Sequence, residues 1–174
     1  MRGDGWWVGV GGRMGDGGEF GVPIGERYFE DYEPGATYAF SGTVTVDEAA
    51  VIAFATEFDP QSFHTDPDAA AGGPFRGLIA SGWHTAGLMM RLFATQYLST
   101  VASLGSPGID ELRWPAPVRP GDTLRLRATV VAARRSRSKP DRGIVTTGIE
   151  LINQDGATVF TATALNLLRA RRTA

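Results

Sequence analysis

The chain has 174 residues, enough for one domain of ordinary size and too few for two. Apolar residues make up 43% and charged residues 21%, a globular balance that excludes a largely disordered or fibrous protein, and the net charge of −2 provides no basic field for nucleic acid or an anionic membrane. The absence of cysteine removes disulfides, thiolate nucleophiles and thiolate metal sites and fits a reducing, cytoplasmic setting, while two histidines, His64 and His84, are too few for an all-histidine metal site.

No apolar run approaches the ~18 to 20 residues that span a bilayer. Met1 to Gly25 carry ten of the 23 glycines, without the apolar stretch of a signal peptide. Residues 1–27 are therefore expected to be a flexible leader, ahead of a single domain over residues 28–174.

Tyr28 to Pro34 is acidic and aromatic, and Pro34-Gly35 marks a turn. An alternating segment, Tyr38 to Val46, reads as a strand. Thr45 to Glu48 has the spacing of a capping box, and Val51, Ile52, Phe54, Ala55 and Phe58 follow at helical intervals, so a helix is expected up to Pro60. Asp59 to Gly77, rich in Pro, Asp, Gly and Ala, reads as a structured loop with one helical turn near Asp66 to Ala71.

Ser81 is placed to cap a second helix running to about Ser99, with apolar residues around most of its circumference, as a buried helix has. Four strands are expected after it, near Ile109 to Trp114, then Thr123 to Ala133, Ile144 to Ile152 and Thr158 to Leu168. In the second of these Leu124, Leu126, Ala128 and Val130 alternate with polar residues, so one face packs and the other meets solvent. Asn153 to Gly156 suits a hairpin between the last two. The order implies an α+β domain whose antiparallel sheet wraps one long apolar helix.

Asp59 and His64 stand five positions apart across a proline-restricted turn, which can bring a carboxylate and an imidazole to one point. A carboxylate that accepts from one ring nitrogen fixes the tautomer and leaves the other nitrogen for proton exchange. On spacing alone the pair reads first as an Asx turn at a helix end and a satisfied loop histidine, and only the residues that follow strengthen the catalytic reading. Gly82, just after the cap, would offer an oriented first-turn amide to a substrate oxygen, or would merely admit close packing of the helix on the sheet.

His84 reads as a core residue with a satisfied hydrogen bond rather than as a second base. Met89, Met90, Leu92 and Phe93 line an apolar tunnel or form core. The basic run Arg134, Arg135, Arg137, Lys139 and Arg142 is a solvated hairpin tip or a contact for phosphate groups.

Taken together, Asp59, His64 and Gly82, the flanking Phe58, the Phe75 to Ile79 approach and the run Pro117 to Leu124 resemble the MaoC-like dehydratase family, which includes the (R)-specific enoyl-CoA hydratases. The resemblance covers about Tyr28 to Leu168. Where those hydratases usually read Asp-x-Asn-Pro, this chain has Asp59-Pro60-Gln61-Ser62, and the His-Gly that often opens their central helix is Ser81-Gly82.

The resemblance implies a hot-dog fold and reversible hydration of a trans-2-enoyl-CoA, with Asp59 and His64 handling a water and its protons and the Gly82 amide holding the thioester oxygen. It places Phe63, Ile79, Ser81 and Trp83 around the substrate. It implies no metal and no redox cofactor, an acyl-CoA thioester as the partner molecule, and a homodimer. Two other readings stand beside it, a hot-dog acyl-CoA thioesterase and a non-catalytic acyl-CoA-binding subunit.

Overall fold

The computed structural model describes Gly18 and residues 20–172. Five strands, β1 (Thr37–Thr45), β2 (Gly108–Arg113), β3 (Thr123–Arg135), β4 (Arg142–Ile152) and β5 (Thr158–Arg169), form one antiparallel sheet in the order β1-β3-β4-β5-β2. Strand alternation sets its two faces. Leu124, Leu126, Ala128 and Val130 of β3, Val145, Ile149 and Leu151 of β4, and Phe160, Ala162, Ala164 and Leu168 of β5 are all buried. The β4 to β5 hairpin closes at Asn153, with Gly156 at φ +81°, where a side chain would be strained.

Against that face lies the long helix α4 (Gly82–Gln96), which buries Met89, Leu92 and Phe93 into the common core. Each such side chain contributes about 1.5–3 kcal/mol on leaving water. Among the described residues three shorter α-helices precede it: α1 (Glu48–Phe58), α2 (Ser62–Thr65) and α3 (Pro67–Ala71). Among the described residues no helix is long and apolar enough to cross a membrane.

Several local expectations are corrected. Asp47, not Thr45, caps α1, its carboxylate accepting from the Ala50 amide at 2.8 Å, because Thr45 is still in β1, opposite Thr123. The loop after α1 holds two short helices, the second of them begun by the Asp66 carboxylate and Pro67. Helix α4 ends at Gln96, three residues short of Ser99, because side chains from the start of the chain take its last carbonyls.

Residues 1–17 and 19 of the expected leader lie outside the described residues. From Phe20 onward the chain is packed instead: the Phe20 ring stacks on Tyr38 at 3.7 Å, and the Arg27 guanidinium lies over Phe20. Arg27 is buried and donates to the carbonyls of Val22, Gln96 and Tyr97 at 2.9, 2.8 and 3.1 Å. One aromatic ring and one arginine outweigh the glycines around them.

Candidate active site

Helix α1 stops where Pro60 removes the next amide, and the Asp59 amide closes its last turn on the Ala55 carbonyl. The chain then turns tightly, the Gln61 amide reaching the Asp59 carbonyl at 2.7 Å, and the single turn of α2 swings His64 back. The imidazole Nε2 comes to 3.4 Å from Asp59 Oδ2. His64 is almost wholly buried, whereas the Asp59 side chain keeps 21% of its surface, so the pair opens to solvent on the carboxylate side.

The other ring nitrogen, Nδ1, lies 2.8 Å from the Ile79 carbonyl. A carbonyl only accepts, so Nδ1 carries the proton and, in the neutral ring, Nε2 presents its lone pair to the site. This corrects the sequence expectation: the tautomer is set by a backbone carbonyl, and the carboxylate faces the free nitrogen. Ile79 is held in turn, its amide donating to the Phe63 carbonyl at 3.2 Å, and the Phe63 ring stands edge-on to His64 with centroids 4.4 Å apart.

Both Asp59 oxygens have side-chain donors. Ser81 Oγ donates to Oδ2 at 2.7 Å and Gln61 Nε2 to Oδ1 at 2.7 Å. The Ser81 hydroxyl first, then the Gln61 amide, hold the carboxyl below the usual carboxylate range, with a smaller contribution from His64. Asp59 is therefore an anion at neutral pH. Gln61, the departure from Asp-x-Asn-Pro, is one of its two donors.

Ser81 also caps α4, its buried Oγ accepting from the Trp83 amide at 3.2 Å. Its hydroxyl thereby acts as donor and acceptor at once. The Gly82 amide, first of the helix, has no acceptor among the described residues. Gly82 is also needed for packing: a Cβ there would lie 2.6 Å from Cε2 of Trp114, whose indole N–H donates to the Gly82 carbonyl at 2.9 Å. Trp83 is exposed and meets Trp114 edge-on at 5.7 Å.

His84 departs from expectation. Among the described residues its Nδ1 is buried without a hydrogen-bond partner, and the ring is held by stacking on Phe54 at 5.0 Å. Burial lowers its pKa and keeps it neutral.

Further along α4, Met89, Met90 and Phe93 line a cavity of about 390 Å³ together with Ile109, Ile149 and Asn166. Leu92 is core and does not line it. Asn166, the polar member, donates through Nδ2 to Thr147 Oγ1 at 3.1 Å, and Thr147 shares a hydrogen bond with Tyr97. At the hairpin tip Arg135 is paired with Glu30 and Arg142 with Asp141.

The sequence brought forward Asp59, His64, Ser81 and Gly82, and the fold gathers all four. It gave no sign of a role for Trp114, named only as the end of an expected strand, nor of the Ile79 carbonyl, since a backbone acceptor has no residue-type signature.

A profile of the MaoC like domain matches residues 30–152. The 3-hydroxyacyl-thioester dehydratase Z of Mycobacterium tuberculosis is 34% identical over 110 residues, 63% of this chain and 72% of the relative. The crystal structure of the MaoC-like dehydratase from Rhodospirillum rubrum is 43% identical, with a TM-score of 0.77 over 84% of this chain and 99% of that one. The (R)-hydratase from A. caviae involved in PHA biosynthesis is 28% identical, with a TM-score of 0.62 over 77% of this chain and 95% of that one. A Mycobacterium tuberculosis protein described as a double hot-dog fold, at 22% identity and a TM-score of 0.72 over 88% of this chain and 47% of that one, shares the fold.

Proposed function

Because the chain belongs to the MaoC-like dehydratase family, we propose that it catalyses the reversible addition of water to a trans-2-enoyl-CoA thioester, with His64 and Asp59 as the proton-handling pair. The observation that carries this reading is the convergence of two acceptors, Asp59 Oδ2 and His64 Nε2, 3.4 Å apart, with the remaining ring nitrogen engaged by Ile79. A water bridging the two from the open side donates one hydrogen to each. Nε2 takes a proton as the water oxygen bonds to the β-carbon, and the imidazolium so formed stands beside the anionic Asp59, which stabilises it.

The electron pair of the enoyl double bond moves toward the thioester oxygen, where the Gly82 amide and the positive end of α4 receive the developing charge. Nε2 then delivers the proton to the α-carbon, and the 3-hydroxyacyl thioester leaves. Dehydration is the same path reversed. Phe63 and Ile79 fix the base, Ser81 fixes Asp59, and Trp83 stands at the mouth. The cavity beyond Met89 takes the acyl chain. The edge strand β2, exposed apart from Leu112, supports a homodimer as the working unit, and the cysteine-free sequence supports a cytoplasmic setting.

The test follows enoyl absorbance with acyl-CoA substrates of several lengths, together with a chromogenic assay for released thiol. The expected result is loss of enoyl absorbance without thiol release, with turnover reduced by ~10² to 10⁴ in folded Asp59→Asn and His64→Ala variants. Thiol release would establish a thioesterase instead, and binding without either signal a non-catalytic subunit.

A further inference from the structure

Hydrogen bonds from distant parts of the chain line up between Trp114 and Asp59. The Trp114 indole N–H, one residue beyond β2, donates to the Gly82 carbonyl at 2.9 Å. That carbonyl shares its peptide unit with the Trp83 amide, which donates to Ser81 Oγ at 3.2 Å. The Ser81 hydroxyl donates to Asp59 Oδ2 at 2.7 Å. Every donor points toward the carboxylate, so each bond polarises the next, a strengthening of about 10–30% per bond in such chains.

We propose that Trp114 is a positioning residue for the Asp59 carboxylate, acting through the Gly82–Trp83 peptide and the Ser81 hydroxyl. A tryptophan kept only to fill the core would be buried, yet Trp114 is 43% exposed, with its N–H turned inward to a carbonyl of the first turn of α4. Gly82 admits the ring because it has no side chain, and Trp83 braces the ring edge-on. The other carboxylate oxygen is served independently by Gln61, and among the described residues His64 is the one titratable side chain that contributes at Asp59. The proposal rests on the hydratase reading only for what Asp59 does; the linkage itself stands on the hydrogen bonds.

The test reads the carboxylate directly. The protein is labelled with [13C]aspartate, and the Asp59 carboxyl resonance, assigned by its loss in Asp59→Asn, is titrated in wild type, Trp114→Phe, Ser81→Ala and the double variant. Phenylalanine keeps an aromatic ring and deletes the N–H; circular dichroism checks that each variant is folded. The Asp59 midpoint is expected to rise in Trp114→Phe, to rise further in Ser81→Ala, and to gain nothing more in the double variant, since the serine is the link.

On an enoyl thioester, Trp114→Phe is expected to lower kcat by about tenfold, the net effect of one hydrogen bond, with KM little changed. An Asp59 titration unmoved by Trp114→Phe, or moved equally with and without Ser81, would overturn the proposal. Failure of the hydratase reading would instead appear as absent enoyl turnover in wild type, with the titration still readable.

Discussion

The Ile79 carbonyl accepts the Nδ1 proton of His64 at 2.8 Å, and that contact decides which ring nitrogen faces Asp59. The neutral ring must then be the Nδ1–H tautomer. In 15N NMR of ring-labelled protein at a pH where His64 is uncharged, Nδ1 should carry the proton and Nε2 should show the shift of an unprotonated nitrogen. The reverse assignment would remove Nε2 as the base.

The Asp59 carboxyl is held low by Ser81 first and then by Gln61. A depressed folded-state pKa contributes stability above the ordinary aspartate range and loses it as pH falls through the folded value. Gln61→Ala deletes one donor on an exposed residue, whose side chain caps no helix amide, and leaves the Ser81 cap of α4 in place. Its Tm should lie below wild type at pH 7, and the gap should close as the pH is lowered through the Asp59 titration. A gap independent of pH would show that Gln61 acts by packing.

Gly82→Ala sets a methyl group 2.6 Å from the Trp114 ring. Overpacking of this kind costs about 1–3 kcal/mol. Urea unfolding of the single variant should show that loss, and Trp114→Ala in the same chain should recover part of it. No recovery would mean the damage lies in the helix backbone.

Arg27 is a buried cation whose partners are three carbonyls, two of them at the end of α4. Arg27→Leu leaves those acceptors without their charged donor and is expected to cost about 3 kcal/mol in urea unfolding. Arg27→Lys, with no planar fork, should recover only part of this. A loss within the ±0.5 kcal/mol of an ordinary surface change would deny Arg27 its capping role.

Met90 lines the cavity beside α4 and is itself 43% exposed, so a larger side chain there narrows the cavity without entering the core. Met90→Trp should raise KM for long enoyl-CoA chains by about tenfold and leave short ones nearly unchanged. An equal effect at all lengths would separate the cavity from the acyl chain.

What the sequence revealed and what it hid divide along physical lines. The alternation of Leu124, Leu126, Ala128 and Val130 marked the inner face because burial acts on every second residue of a strand. Asp59, Pro60 and His64 were legible for the same reason of locality: a proline ends a helix whatever surrounds it. The cap at Asp47 was misplaced by two residues because Thr45 has equal capping chemistry, and only its pairing with Thr123 takes it out of contention. Nothing local could show that Ile79 would orient His64, or that Trp114 would reach Gly82 across 32 positions of sequence. Those contacts exist only once the sheet has closed over α4.

The packing of Phe20 and Arg27 has a practical side for anyone who shortens this protein for crystallisation or expression. Cutting at Tyr28, where the glycine-rich composition invites the cut, would delete the guanidinium that closes α4 and expose the Tyr38 ring that Phe20 covers. The loss would fall at the far end of the helix whose first turn carries Ser81 and Gly82, so a weakened preparation could be mistaken for a poor catalyst. A shortened chain that begins ahead of Phe20 avoids the confusion.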